Sequence, residues 1–184
     1  SSLFSEISAA YQSKFYPGAV SHAADFASKY PQSLLLPQVL AIEGESLYHL
    51  ARLNEAESAL KKSCALTAKN ETPVPVTSYW LGRTLFDLKK YDESCAAFYD
   101  ASSGAKETGS LKKIYSSSLL YAGKSYAAQK KYEESIPLLE YAAANGMQYN
   151  WSEYCGAVLL LFTSYKETKN YKKTVQMYAN LSGL

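Results

Sequence analysis

The 184-residue sequence predicts an all-α repeat solenoid of about five helix pairs. Three observations carry that expectation. An aromatic or leucine opens each second helix: Tyr16, Leu53, Tyr91, Tyr132 and Tyr171. A small residue follows three positions on (Ala19, Ala56, Ser94, Ser135, Thr174) and an apolar or small one seven positions on (Ala23, Leu60, Phe98, Leu139, Tyr178). Such spacing places one stripe on one helical face. Nine positions before the opener, the three middle units carry Gly44, Gly82 and Gly123. Glycine inside a helix costs about 1 kcal/mol against alanine. A repeated cost implies a repeated cause, and close crossing of two helices is the natural one.

The stretch Tyr79 to Ala101 shows the skeleton most fully, as two helices with a turn at Lys89-Lys90. Around it, the chain reads in order. A first helix runs from about Leu3 to Lys14 with Leu3, Ile7 and Ala10 inward, and a second, with Pro17 in its first turn, ends before Pro31. A third begins near Leu34 with Pro37 early in it, and a fourth runs from Asn54 to about Ala68. Asn70 to Val76, with two prolines, reads as a break and a hinge. Ser102 to Gly109 reads as a loop. A long helix from about Ser110 to Gln129 follows. Pro137 requires a position in or near the first turn of the next helix. Asn145 to Trp151 links to the final pair. The units are therefore expected at about 1–33, 34–72, 73–107, 108–148 and 149–184, in one repeat domain.

This pattern resembles the tetratricopeptide repeat, whose signature places Leu-Gly and then Tyr on the first helix of each pair. On the second helix it has Tyr-x-x-Ala, then Phe and Ala, with Pro closing the unit. The third unit matches nearly throughout. The fourth matches at Gly123, Tyr126, Tyr132 and Ala142, the second at Gly44, Ala56 and Leu60, and the first at Tyr16, Ala19 and Pro31. In the fifth, Phe162 replaces the glycine and Thr174 the alanine. The openers lie 37 to 41 residues apart, longer than the usual repeat of about 34. That spacing, with Ser28–Ser33, also resembles bacterial envelope proteins of this class: outer-membrane assembly lipoproteins and coordinators of cell constriction. The resemblance implies a right-handed α-α superhelix, and its envelope form a periplasmic or envelope location in preference to the cytoplasm.

Composition restricts the function further. A net charge of +2 does not point to nucleic acid. The pairs Lys89-Lys90, Lys130-Lys131 and Lys172-Lys173 read as turn residues between the two helices of a unit, where cations complement helix C-termini. The 17 tyrosines fall mostly at repeat positions, where a ring packs and a hydroxyl stays near water. Cys64, Cys95 and Cys155 have no metal-binding spacing, and their odd count argues against a disulfide framework; they read as packing residues. No apolar run reaches the roughly 18 residues of a membrane span; Gly156–Phe162 is the longest. Asn70, Asn150 and Asn180 open Asn-x-Ser/Thr triplets, read as chance. The start at Ser and the end without a polar capping helix suggest a fragment of a longer protein.

His22 and His49 are the only histidines, and no hydrolase, phosphate-loop or paired-carboxylate motif occurs. No enzyme, cofactor or metal is expected. The resemblance implies a concave groove lined by the first helix of each pair. By repeat phase it contains Phe4, Ser8, Tyr11 and Gln12; Gln38, Ala41, Glu45, Tyr48 and His49; and Tyr79, Arg83, Phe86 and Asp87. The later units add Leu120, Lys124, Ala127, Leu159, Thr163, Lys166 and Glu167. Tyr11, Tyr48, His49, Tyr79, Arg83, Phe86 and Lys124 are the partner-binding candidates, because aromatics and arginine dominate interface hot spots. Ser8, Glu45 and Arg83 occupy a position where relatives that bind chaperone tails carry Lys and Asn, which argues against such a ligand. The reading is a non-catalytic scaffold for a protein or peptide partner. Two alternatives stay open: a small-molecule or lipid-binding accessory of an envelope transporter, and a self-assembly module that forms homo-oligomers through exposed ends such as the fifth unit.

Overall fold

A computed structural model describes residues 2–68, 74–105, 109–145 and 151–182, with side chains described as far as 179 except that of Ala68. Among them are ten α-helices: α1 (Ser2–Gln12), α2 (Tyr16–Lys29), α3 (Leu36–His49), α4 (Leu53–Ala68), α5 (Pro75–Asp87), α6 (Tyr91–Ala105), α7 (Lys112–Ala128), α8 (Tyr132–Asn145), α9 (Trp151–Glu167) and α10 (Tyr171–Ser182). No strand occurs among the described residues. Two compact units divide the chain, Ser1–Lys90 with α1 to α5 and Tyr91–Leu184 with α6 to α10. In each, every helix packs on the next, and alternate helices also meet: α1 on α3, α3 on α5, and α7 on α9.

The helix starts follow local chemistry. Pro17, Pro37 and Pro75 sit in the first two positions of α2, α3 and α5, where the missing N–H is one that no helix uses. Acidic residues fill the first turns of α4 (Glu55), α6 (Asp92, Glu93) and α8 (Glu133, Glu134), where the helix dipole favours them.

All five turns inside a pair are built alike. The residue two before the opener is left-handed: Lys14 (φ 59°), Ala51 (57°), Lys89 (61°), Lys130 (61°) and Lys169 (57°). Its N–H donates three residues back, and the next N–H donates five back, as in Lys130 to Ala127 at 2.9 Å and Lys131 to Tyr126 at 3.0 Å. This is the Schellman closure, usually made with glycine. Here a side chain accepts the left-handed strain of roughly 1–2 kcal/mol each time.

Two of the three mid-helix glycines, Gly44 and Gly123, mark close crossings. A Cβ on Gly44 would lie 2.4 Å from Leu60 Cγ, and one on Gly123 would lie 2.9 Å from Leu139 Cδ2. Leu60 and Leu139 are fully buried, and each is the residue seven after its opener. The first pair reverses the sizes. Ile7 stands at the glycine position and Ala23 at the leucine position, both fully buried in one cluster with Phe26 and Val39. The fifth pair carries two large residues, and neither is buried: Phe162 is 39% exposed and Tyr178 67%. No residue of α10 from 171 to 179 is buried.

Several expectations need correction. Ser102 to Ala105 are helical, not loop, because Ala101, Ser102 and Ala105 extend the buried stripe of α6 begun by Ser94 and Phe98. Pro75 and Val76 belong to α5, not to the preceding break. Lys172 and Lys173 lie in the first turn of α10, and the lysine of that turn is Lys169. Pro137 lies in the second turn of α8, so the Glu133 carbonyl has no helical N–H to accept. Residues 70–73 of the expected hinge, residues 106–108 and 146–150, and the side chains of Asn70, Asn150 and Asn180 lie outside the described residues.

Two predictions follow from this packing. Gly44→Ala should destabilise the protein by about 1–3 kcal/mol through overpacking. The loss should shrink in Gly44→Ala/Leu60→Ala relative to the sum of the single changes, as read by urea denaturation in a double-mutant cycle. Lys130→Gly should stabilise by about 0.5–1 kcal/mol, since relief of the left-handed strain exceeds the added unfolded-state entropy; a higher urea midpoint reports it.

Candidate partner-binding surface

In the first unit α1, α3 and α5 line a groove of about 540 Å³. Phe4 and Tyr11 come from α1, Pro37, Gln38, Ala41, Ile42 and Glu45 from α3, and Val76, Thr77 and Trp80 from α5. Ser63 and Thr67 of α4 complete it with Leu34 and Val74. Ser63 is buried and donates to the Pro37 carbonyl at 2.7 Å, which ties α4 to the start of α3.

One repeat-phase contact orders the groove and its edge. The position five before the opener carries Tyr11 in the first pair and Tyr48 in the second. The position eight before the opener carries Glu45 and Arg83 in the pairs that follow them. The Tyr11 hydroxyl donates to Glu45 Oε1 at 2.6 Å. The Tyr48 hydroxyl accepts from Arg83 Nη2 at 2.9 Å and donates to Asp87 Oδ2 at 2.7 Å. Arg83 Nη1 also donates to the Tyr79 hydroxyl at 3.0 Å. Its guanidinium lies 5.5, 5.9 and 6.0 Å from the ring centroids of Tyr48, Tyr79 and Trp80, within cation–π range.

The electrostatics follow from burial. Burial pushes the Glu45 carboxyl above its usual range, and the Tyr11 hydrogen bond only partly offsets it. Burial, then the Glu45 acceptor, raises the Tyr11 hydroxyl. Tyr48 is pushed up to about 12, by burial first and then by its bond to Asp87, with Arg83 opposing. His49 is held below its ordinary value by burial, Arg83 and Lys14. It is therefore neutral at pH 7, and its Nε2, 3.8 Å from Glu45 Oε1, forms no ion pair there. The ring stacks on Tyr16 at 4.5 Å.

Of the seven sequence candidates, the structure gathers Tyr11, Tyr48, His49, Tyr79 and Arg83 in the first unit. Tyr11 lines the groove. His49 stands 3.8 Å from Glu45 and packs on Tyr48, and Arg83 bonds Tyr48 to Tyr79, so these four form an aromatic wall. Tyr79 is 7% exposed and serves that wall from inside. Phe86 is half-buried on α5. Lys124 belongs to the second unit, where its Nζ lies 4.5 Å from the Tyr121 ring centroid. Trp80 was not among the groove residues expected from the sequence, yet it lines the groove and packs 5.1 Å from Tyr48, 5.2 Å from His49 and 5.5 Å from Tyr79. Its signal in the sequence is rarity, as one of two tryptophans.

No family model matches the sequence, and no curated protein matches it. Solved structures do match over nearly the whole chain. MamA from Desulfovibrio magneticus RS-1 is similar at TM-score 0.76 and 14% identity, covering 99% of this chain and 92% of that one. A kinesin light chain from Podosopora anserina with nearly identical TPR-like repeats matches at 0.72 and 14%, covering 99% and 92%. BtubC from P. vanneervenii matches at 0.70 and 12%, covering 97% and 79%. At these identities the likeness establishes the fold: an all-α helical solenoid of the tetratricopeptide-repeat type. The envelope-protein resemblance finds no support among these structures.

The raised Glu45 carboxyl yields a pH prediction. Its folded value lies above its unfolded value, so its contribution favours folding at acid pH and is lost as pH rises through the folded value. Glu45→Gln keeps an acceptor for Tyr11 and removes the buried charge. Its Tm should exceed that of the parent at pH 7–8, and the gap should close as pH falls below the ordinary glutamate range of about 4.3.

Proposed function

We propose that the chain is a non-catalytic protein-interaction scaffold that receives a peptide or a partner's segment in the groove between α1, α3 and α5. The observation that carries this reading is the groove itself. It presents the apolar surfaces of Phe4, Ile42, Val76 and Trp80 in one open concavity. Its edge is fixed by hydrogen bonds that join α1 to α3 and α3 to α5. A groove ordered before binding loses little conformational freedom when a partner enters. Aromatic side chains beside an arginine are the residue types that anchor partner segments. The tetratricopeptide-repeat fold of the chain suits the same role.

Ala41 is a half-buried residue of the groove lining, and Ala41→Arg should fill the groove while α3 keeps its helix. Peptides selected on the parent protein from a random library displayed on phage should lose at least about tenfold in affinity for Ala41→Arg, which corresponds to 1.4 kcal/mol. Circular dichroism confirms that the variant is folded. Equal binding of those peptides by Ala41→Arg contradicts the groove as the binding surface.

A further inference from the structure

The groove also indicates what its occupant carries. Among the described residues, Glu45 is the one charged side chain in its lining. The other walls are apolar, aromatic or neutral polar, and the Glu45 side chain is only 13% exposed. A carboxylate has about four acceptor sites. The Tyr11 hydroxyl occupies one of them. His49 Nε2 stands at 3.8 Å and is uncharged at neutral pH. The nearby cation, Arg83, is directed to the hydroxyls of Tyr48 and Tyr79. Glu45 is thus a largely desolvated anion with no resident counter-charge.

From this geometry we propose that Glu45 receives a lysine or arginine side chain of the partner, so that the occupant is a segment in which a basic residue is flanked by apolar ones. The proposal rests on the groove reading above and specifies its ligand. The side chain's aliphatic stem would lie along Phe4, Ile42 and Trp80, as long basic side chains commonly do. The aromatic faces of Tyr11 and Trp80 add attraction for the cation. Charge-assisted hydrogen bonds to a half-buried carboxylate are the stronger kind. The raised Glu45 carboxyl is consistent with this, since an entering cation offsets the desolvation that raises it. An acidic segment is disfavoured at the same site, because like charges in a partly dry groove repel.

The test uses the phage-selected peptides and their synthetic counterparts. Selected sequences should carry lysine or arginine beside apolar residues. Replacing that lysine by norleucine, which keeps the stem and removes the charge, should weaken binding to the parent protein about tenfold. On Glu45→Gln, whose fold is checked by its melting curve, the same replacement should have little effect. Peptides that Ala41→Arg rejects, but that lack a basic residue or lose affinity equally on both proteins when it is replaced, overturn this assignment and leave the groove reading standing. Selected peptides that Ala41→Arg binds unchanged defeat the groove reading itself.

Discussion

One steric rule underlies the first, second and fourth helix pairs of this protein: where the two helices of such a pair cross, one side supplies a large residue and the other a very small one. Leu60 fills the space left by Gly44, Leu139 that left by Gly123, and Ile7 that opposite Ala23. The large members are fully buried, so each crossing yields roughly the 1.5–3 kcal/mol of a buried aliphatic side chain. The glycine's propensity cost of about 1 kcal/mol is smaller than that gain. Where the rule fails, at Phe162 and Tyr178, the last helix has no buried residue among 171–179.

Part of the buried polar surface on the first helices of the pairs is satisfied within the same helix. Thr84, Ser125 and Ser164 stand seven before their openers, are fully buried, and return their hydroxyls to carbonyls four residues back at 2.8, 2.8 and 2.9 Å. A small hydroxyl packed this way satisfies itself and adds little bulk, so neighbouring helices approach closely without leaving a stranded donor. With the crossings closed, the first helices of successive pairs present long polar and aromatic side chains to one another. Tyr11 with Glu45 and Tyr48 with Arg83 are the same contact, one repeat apart and with the donor reversed. The first contact leaves an anion in the groove, and the second commits a cation beside it.

Much of the fold was legible in the sequence. The openers fix where α2, α4, α6, α8 and α10 begin, because the stripe, the Schellman turn and the opener recur at constant offsets. Boundaries set by composition were less legible. Ser102 to Ala105 look like a loop by residue type, yet their burial against neighbouring helices outweighs weak helix propensity. Lys172-Lys173 resemble the earlier turn pairs, but the left-handed position is set by distance to the opener and falls on Lys169. The surface was half legible. Repeat phase places Tyr11, Glu45, Tyr48 and Arg83 on the right helices. It does not say which rings line the groove and which brace it, because a residue such as Tyr79 is buried or exposed according to neighbours on another helix. Trp80, one position further along α5, faces the groove for the same reason.

The central claim is that the surface formed by α1, α3 and α5 is the functional one, already ordered before a partner arrives. Hydrogen–deuterium exchange of the full chain, with and without a saturating selected peptide, tests it most directly. The account predicts slow exchange in the free protein over residues 2–12, 36–49 and 75–87, with further protection there on binding and none in α9 or α10. Protection confined to α9 and α10, or fast exchange of α1 and α3 in the free protein, would contradict it.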